Sequence, residues 1–133
     1  INLKKLKHLN IAGNDINFRL INRSLKNENI ETLEMMSCIG IDRSLDFNFC
    51  LLFINNFQSL KVLNVTDIRF NGHQLLKLID LKLHLFQFRM AMGEDRFEFE
   101  DVVFRNKLME NNYDYKLFHA FDIFEITAIM NPI

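Results

Sequence analysis

Apolar residues recur along this chain in short alternating triplets, and each triplet is followed by a longer stretch with helical spacing. The segment LKHLNIAGNDI (6–16) places Leu6, Leu9, Ile11 and Ile16 around Asn14. The segment IETLEMMSCIGI (30–41) repeats the arrangement with Ile30, Leu33, Met35, Cys38 and Ile41. LKVLNVTDIRF (60–70) supplies Leu60, Leu63, Val65 and Phe70. Looser copies follow at 83–92, with Leu83, Phe86 and Phe88, and at 121–131, with Phe121, Phe124 and Ile126. Alternation over so few residues predicts short strands that turn one face inward.

The intervening stretches read as helices. Phe18, Ile21 and Leu25 recur at helical spacing after the first triplet. After the second, Leu45, Phe49, Leu52 and Phe53 form an apolar stripe, with Asp42 or Ser44 as N-cap. After the third, Asn71 can cap a helix carrying Leu75, Leu76 and Ile79, and after the fourth Asp101 can cap one carrying Val103, Phe104 and Leu108. The run MGEDRFEFEDV (92–102) alternates Phe97 and Phe99 with charges and is expected as an inserted strand or ordered loop.

These residues resemble the leucine-rich-repeat family, whose pattern L-x-x-L-x-L-x-x-N/C-x-L the first copy satisfies and the Cys38 copy matches in its cysteine-containing, ribonuclease-inhibitor-like form. The resemblance implies an α/β fold: a curved solenoid with a parallel sheet on the concave side and helices on the convex side. Residues 1–133 are expected to form one such domain or a fragment of a longer one, with repeats starting near 6, 30, 60, 83 and 121. Cys38 is expected as a buried turn residue that satisfies backbone groups where the chain leaves a strand. The chain departs from the family in its uneven repeat steps and in Ile68, Ala91 and Ile129 at the Asn/Cys position. The subclasses it resembles are mostly intracellular recognition modules, including substrate receptors of ubiquitin ligases, although no adaptor-binding box is present.

In such an array the inward residues are committed to the core, so recognition falls to the alternating outward ones. The expected register gives three columns. The first is His8, Thr32, Val62, Leu85 and Ile123; the second is Asn10, Glu34, Asn64, Gln87 and Glu125; the third is Ala12, Met36, Thr66, Arg89 and Thr127. An apolar row beside a polar one suits a protein partner, with apolar anchors for affinity and amides or carboxylates for specificity. Cross-strand packing within the sheet is the competing explanation for the same residues. The candidate partner-binding set is His8, Asn10, Thr32, Glu34, Met36, Val62, Asn64, Thr66, Leu85, Gln87, Arg89 and Glu125.

Composition narrows the function classes. Of 133 residues, 49% are hydrophobic and 25% charged, which is ordinary for a globular core and unlike a disordered chain. Sixteen Lys and Arg against seventeen Asp and Glu leave no basic excess, so a nucleic-acid partner is not expected. No apolar run is long enough for a membrane span. Two cysteines, Cys38 and Cys50, are too few for a disulfide scaffold and favour an intracellular, cytoplasmic setting. The chain begins at Ile1 next to an apparent repeat and reads as a fragment, which leaves a lost signal peptide open. Fourteen Phe fall mainly at inward positions, as bulky core filling.

Candidate chemistry is sparse. His8, His73, His84 and His119 share no metal-ligand spacing with one another or with a cysteine, so no metal is expected. Glu94-Asp95 and Glu100-Asp101 read as a solvated loop and a helix N-cap rather than paired acid and base. Glycines at 13, 40, 72 and 93 form no phosphate-cradling loop, and Ser24, Ser37, Ser44 and Ser59 lack a nucleophile context. The Asn-x-Ser/Thr matches at Asn22 and Asn64 read as chance, and the Lys4, Lys5, Lys7, His8 cluster as a solvated strand flank. The expectation is therefore a non-enzymatic protein-recognition module without cofactor, such as the substrate-reading part of a ubiquitin ligase. A structural segment of a larger solenoid is the alternative.

Overall fold

A computed structural model describes residues 5–12, 29–36, 44–68, 70–91, 100–120 and 122–132. Alternating sequence becomes strand at β1 (His8–Ala12), β2 (Thr32–Met36), β3 (Val62–Thr66), β4 (Leu85–Ala91), β5 (Tyr113–Ala120) and β6 (Ile123–Met130). Helices occur at α1 (Ser44–Asn55), α2 (Gly72–Ile79) and α3 (Asp101–Glu110). The strands form one sheet in the order β1-β2-β3-β4-β6-β5.

The expected leucine-rich-repeat solenoid with an all-parallel sheet is not what the chain forms. The sheet is mixed. β1 to β4 pair in parallel, with His8, Thr32, Val62 and Leu85 in one cross-strand row. β6 then pairs antiparallel to both β4 and β5. The physical reason lies in chain length. A parallel return needs a crossover of about a dozen residues or more. Only residues 121–122 separate β5 from β6, which permits nothing but a hairpin. The segment expected as a fifth repeat is therefore the second arm of a hairpin, inserted beside β4 with its direction reversed. The expectation of a repeat protein, a solenoid scaffold, falls with the same finding.

Helix and strand burial define two layers. Leu33, Met35, Leu63, Val65, Phe86, Phe88, Phe124 and Ile126 on the strands share one buried cluster with Phe47, Cys50, Phe53, Leu75, Leu78, Ile79, Phe104 and Leu108 on the helices. The helices cover one sheet face, and the strand residues between the buried ones line the other. An aromatic chain runs through this core. Phe47 meets Phe70 at 5.6 Å, Phe70 meets Phe88 at 6.1 Å, Phe88 meets Phe124 at 6.3 Å and Phe124 meets Phe104 at 5.3 Å, mostly edge to face.

Local chemistry sets each helix. α2 begins at a capping box: the Asn71 side chain accepts from Gln74 N at 2.8 Å, and the Gln74 side chain accepts from Asn71 N at 3.0 Å. α1 buries Phe47, Cys50, Phe53 and Ile54, so the expected stripe is displaced: Leu52 points outward at 51% exposure and Phe49 is only half-buried. The segment is apolar on most sides, and its pattern therefore selects no unique inward stripe. In α3 the N-cap is Glu100 rather than Asp101, and Val103 is exposed while Phe104 and Leu108 are buried.

The C-terminal ends of α2 and α3 are tied together. Lys107 Nζ donates to Asp80 Oδ2 at 2.9 Å, and Asn111 Nδ2 donates to Asp80 Oδ1 at 3.0 Å and to the Lys107 carbonyl at 3.1 Å. Partial burial pushes the Asp80 carboxyl up, but the bonds from Lys107 and Asn111 and the charges of Lys107 and Lys82 outweigh it, leaving the carboxyl below its ordinary value. Asn112 then turns the chain with φ 64°, a left-handed value that asparagine tolerates. Buried Tyr113 follows and donates its hydroxyl to the Leu83 carbonyl at 2.9 Å. Burial raises that hydroxyl to about 12, against the lowering effect of the bond.

The expected helix at Phe18, Ile21 and Leu25, the turn at Cys38, the N-cap at Asp42 and the Phe97–Phe99 segment lie outside the described residues. Among the described residues, no helix is long and apolar enough to cross a membrane.

Candidate recognition face

The sheet face opposite the helices carries the residues singled out from the outward columns. Its first row is His8, Thr32, Val62, Leu85, Ile129 and Asp114. The second is Asn10, Glu34, Asn64, Gln87, Thr127 and Lys116. The third is Ala12, Met36, Thr66, Arg89, Glu125 and Phe118. The first four members of each row agree with the expected columns, because β1 to β4 are parallel and in register. The fifth does not. Reversal of β6 puts Ile129 where Ile123 was expected, and it exchanges Glu125 with Thr127.

That exchange changes the electrostatics of the face. In the expected register Glu125 extends an amide and acidic column. In the structure it stands directly beside Arg89, so the centre of the face brings a cation and an anion together. They border a shallow depression of about 170 Å³ lined by Asn64, Thr66, Gln87, Phe88, Arg89, Glu125, Ile126 and Thr127. Small-molecule pockets run to roughly 300–1,000 Å³. This depression is smaller and suits one projecting side chain. The Thr66 hydroxyl donates to the Asn64 side-chain carbonyl at 3.1 Å. This bond orients the amide at the rim and leaves its NH₂ as a donor toward the face.

The flanks differ in character. His8 Nε2 lies 3.1 Å from Glu34 Oε2 at the β1 edge. Val62, Leu85 and Ile129 make an apolar run across the first row, and Ile129 is 55% exposed. Met36 on β2 and Phe118 on β5 add exposed apolar surface to the third row. The twelve candidate residues therefore share one face; Asn64, Thr66, Gln87, Arg89 and Glu125 gather at the depression, while His8, Asn10, Thr32, Glu34 and Met36 lie on β1 and β2 away from it.

Two features escaped the sequence reading. β5 contributes Asp114, Lys116 and Phe118 to the face, and its alternation of Tyr113, Tyr115 and Leu117 with Asp114 and Lys116 is the signal that marks it as a strand. The second feature is a groove of about 500 Å³ between the N-terminal ends of α2 and α3, lined by Asn71, Gly72, His73, Leu76, Glu100, Val103 and Phe104. It joins residues far apart in sequence, and no local spacing announces it. Among the described residues, no group of three or more His, Cys, Asp or Glu is placed to hold a metal ion.

The class defined by this geometry is a two-layer α/β domain: a mixed sheet covered by helices on one face and, among the described residues, open on the other. Comparison with protein-family models, with curated proteins and with solved structures finds no match to the chain.

Proposed function

We propose that this chain is a protein-recognition module that reads a partner segment laid across the open face of its sheet. The observation that carries this reading is the central depression, where Arg89 and Glu125 stand side by side among Asn64, Thr66, Gln87 and Thr127. Its volume fits a single projecting side chain, and its lining offers both donors and acceptors. The run Val62, Leu85 and Ile129 alongside supplies apolar contact. Apolar anchoring beside a polar selector is the division of labour found at protein interfaces.

The test is selection of a displayed library of random short peptides on the wild-type protein. Enriched peptides should lose roughly tenfold or more in affinity for Arg89→Glu and for the double variant Glu34→Lys with Gln87→Lys. They should bind Asn106→Asp, altered on the helical face, as they bind wild type. Failure to enrich any peptide, or equal binding to all variants, counts against the reading.

A further inference from the structure

β5 forms one edge of the sheet, and among the described residues β6 is its one strand partner. The direction of its backbone groups follows from the ladder. Asn131 N donates to the Asn112 carbonyl at 3.0 Å, so residues 112 and 131 form a hydrogen-bonded pair. Antiparallel pairs alternate, which makes 114/129, 116/127 and 118/125 hydrogen-bonded as well. Tyr113, Tyr115, Leu117 and His119 therefore turn their N–H and C=O groups toward the outer edge.

We propose that two copies of this chain join through their β5 edges, antiparallel and with Tyr115 on the two-fold axis, into one continuous sheet. In this register Tyr115 pairs with its own copy and Tyr113 pairs with Leu117 of the other chain, so the outward backbone groups of Tyr113, Tyr115 and Leu117 find partners. On the open face Asp114 falls opposite Lys116 of the second copy, and Lys116 opposite its Asp114. Opposite charges directly across an antiparallel pair stabilise it, and like charges destabilise it. The competing registers lack this match. Centring on Asp114 or on Lys116 sets a residue against its own charge, and centring on Leu117 leaves Lys116 facing Phe118 and Asp114 facing Ala120.

The helical layer fits the same partner. Lys107 on α3 turns toward Asp80 at the end of α2, while Arg105 reaches over the Tyr115 ring at 5.8 Å. At 100° per residue, Val102 and Met109 lie on the Arg105 side, away from α2. They are 67% and 62% exposed. A two-fold axis at the β5 edge brings this apolar stripe against the same stripe of the second copy. An isologous interface needs such a self-complementary surface.

Sedimentation of the full chain, with charge reversal on the exposed Asp114 and Lys116, tests this. The wild type should sediment as a dimer. Asp114→Lys and Lys116→Asp should each raise the dimer Kd by roughly tenfold or more, because each turns two attractive pairs into two repulsive ones. The swapped double variant, Asp114→Lys with Lys116→Asp, should return to the wild-type Kd. A monomeric wild type, a dimer indifferent to the single reversals, or a double variant that stays as weak as the singles overturns the proposal.

Discussion

His119 Nδ1 on β5 lies 2.6 Å from Asp101 Oδ1 in the first turn of α3, joining the start of the helix to the far end of the strand that follows it. The His119 ring also packs edge-on against Phe124 at 5.3 Å, which fixes the imidazole from its other side. Asp101 thus ties α3 to the sheet instead of capping the helix.

A hydrogen bond to a charged group contributes about 1.5–3 kcal/mol when shielded. Asp101 is 39% exposed in its side chain, so solvent reduces that figure. A double-mutant cycle with His119→Ala and Asp101→Ala, read by urea unfolding, should give a coupling energy of about 1 kcal/mol. Strict additivity of the two substitutions contradicts the tether.

Asp80 predicts behaviour in acid. Its folded carboxyl is held below its ordinary value, so its contribution is present above that value and is lost as pH falls through the folded one. The side chain is 45% exposed, which keeps the effect below about 1 kcal/mol. Asp80→Asn should be less stable than wild type at neutral pH, and the difference should shrink as pH drops below about 4. A difference that stays constant across that range contradicts the network.

Tyr113 predicts the opposite slope in alkali. Its folded hydroxyl titrates at about 12 against an ordinary value of 10.0. The folded state holds the proton longer, so stability is intact below pH about 10 and declines between about 10 and 12, by roughly 2–3 kcal/mol in all. Tyr113→Phe lacks the titrating group and should flatten that decline, while losing the bond to Leu83 at neutral pH. Parallel alkaline profiles for the two proteins contradict the assignment.

Much of the sheet's inward face was legible because side-chain parity has a period of two. Leu9, Leu33 and Leu63 do sit in one cross-strand row, and so does Phe86. Phe124 and Ile126 are buried as expected even though their strand runs backwards, since reversing a strand leaves each side chain on its own face. Direction is what the pattern cannot carry. A strand of alternating residues reads alike from either end, and here the short 121–122 connection decides. The consequence falls on the candidate site: Glu125 moves from the amide column to the side of Arg89. β5 was overlooked because its charged alternation resembles a solvated linker until β6 pairs with it. In α1, apolar residues on most sides hid which stripe faces the sheet, so Phe47 and Cys50 were missed while Leu52 was wrongly turned inward.

The central claim is the placement of Arg89 beside Glu125 on the open face, and cross-linking tests it most directly. Met130 N donates to the His84 carbonyl at 2.8 Å, so alternation makes 89/125 a non-hydrogen-bonded pair. Cα atoms in such pairs approach to about 4.5 Å. That is inside the roughly 4.4–6.8 Å span of a disulfide. Residues 89 and 127 are diagonal neighbours at about 7–8 Å, beyond that span. Arg89→Cys with Glu125→Cys should cross-link on oxidation, and Arg89→Cys with Thr127→Cys should not, as read by peptide mapping without reductant. A bond between positions 89 and 127, with none between 89 and 125, would mean that the last strand runs parallel after all.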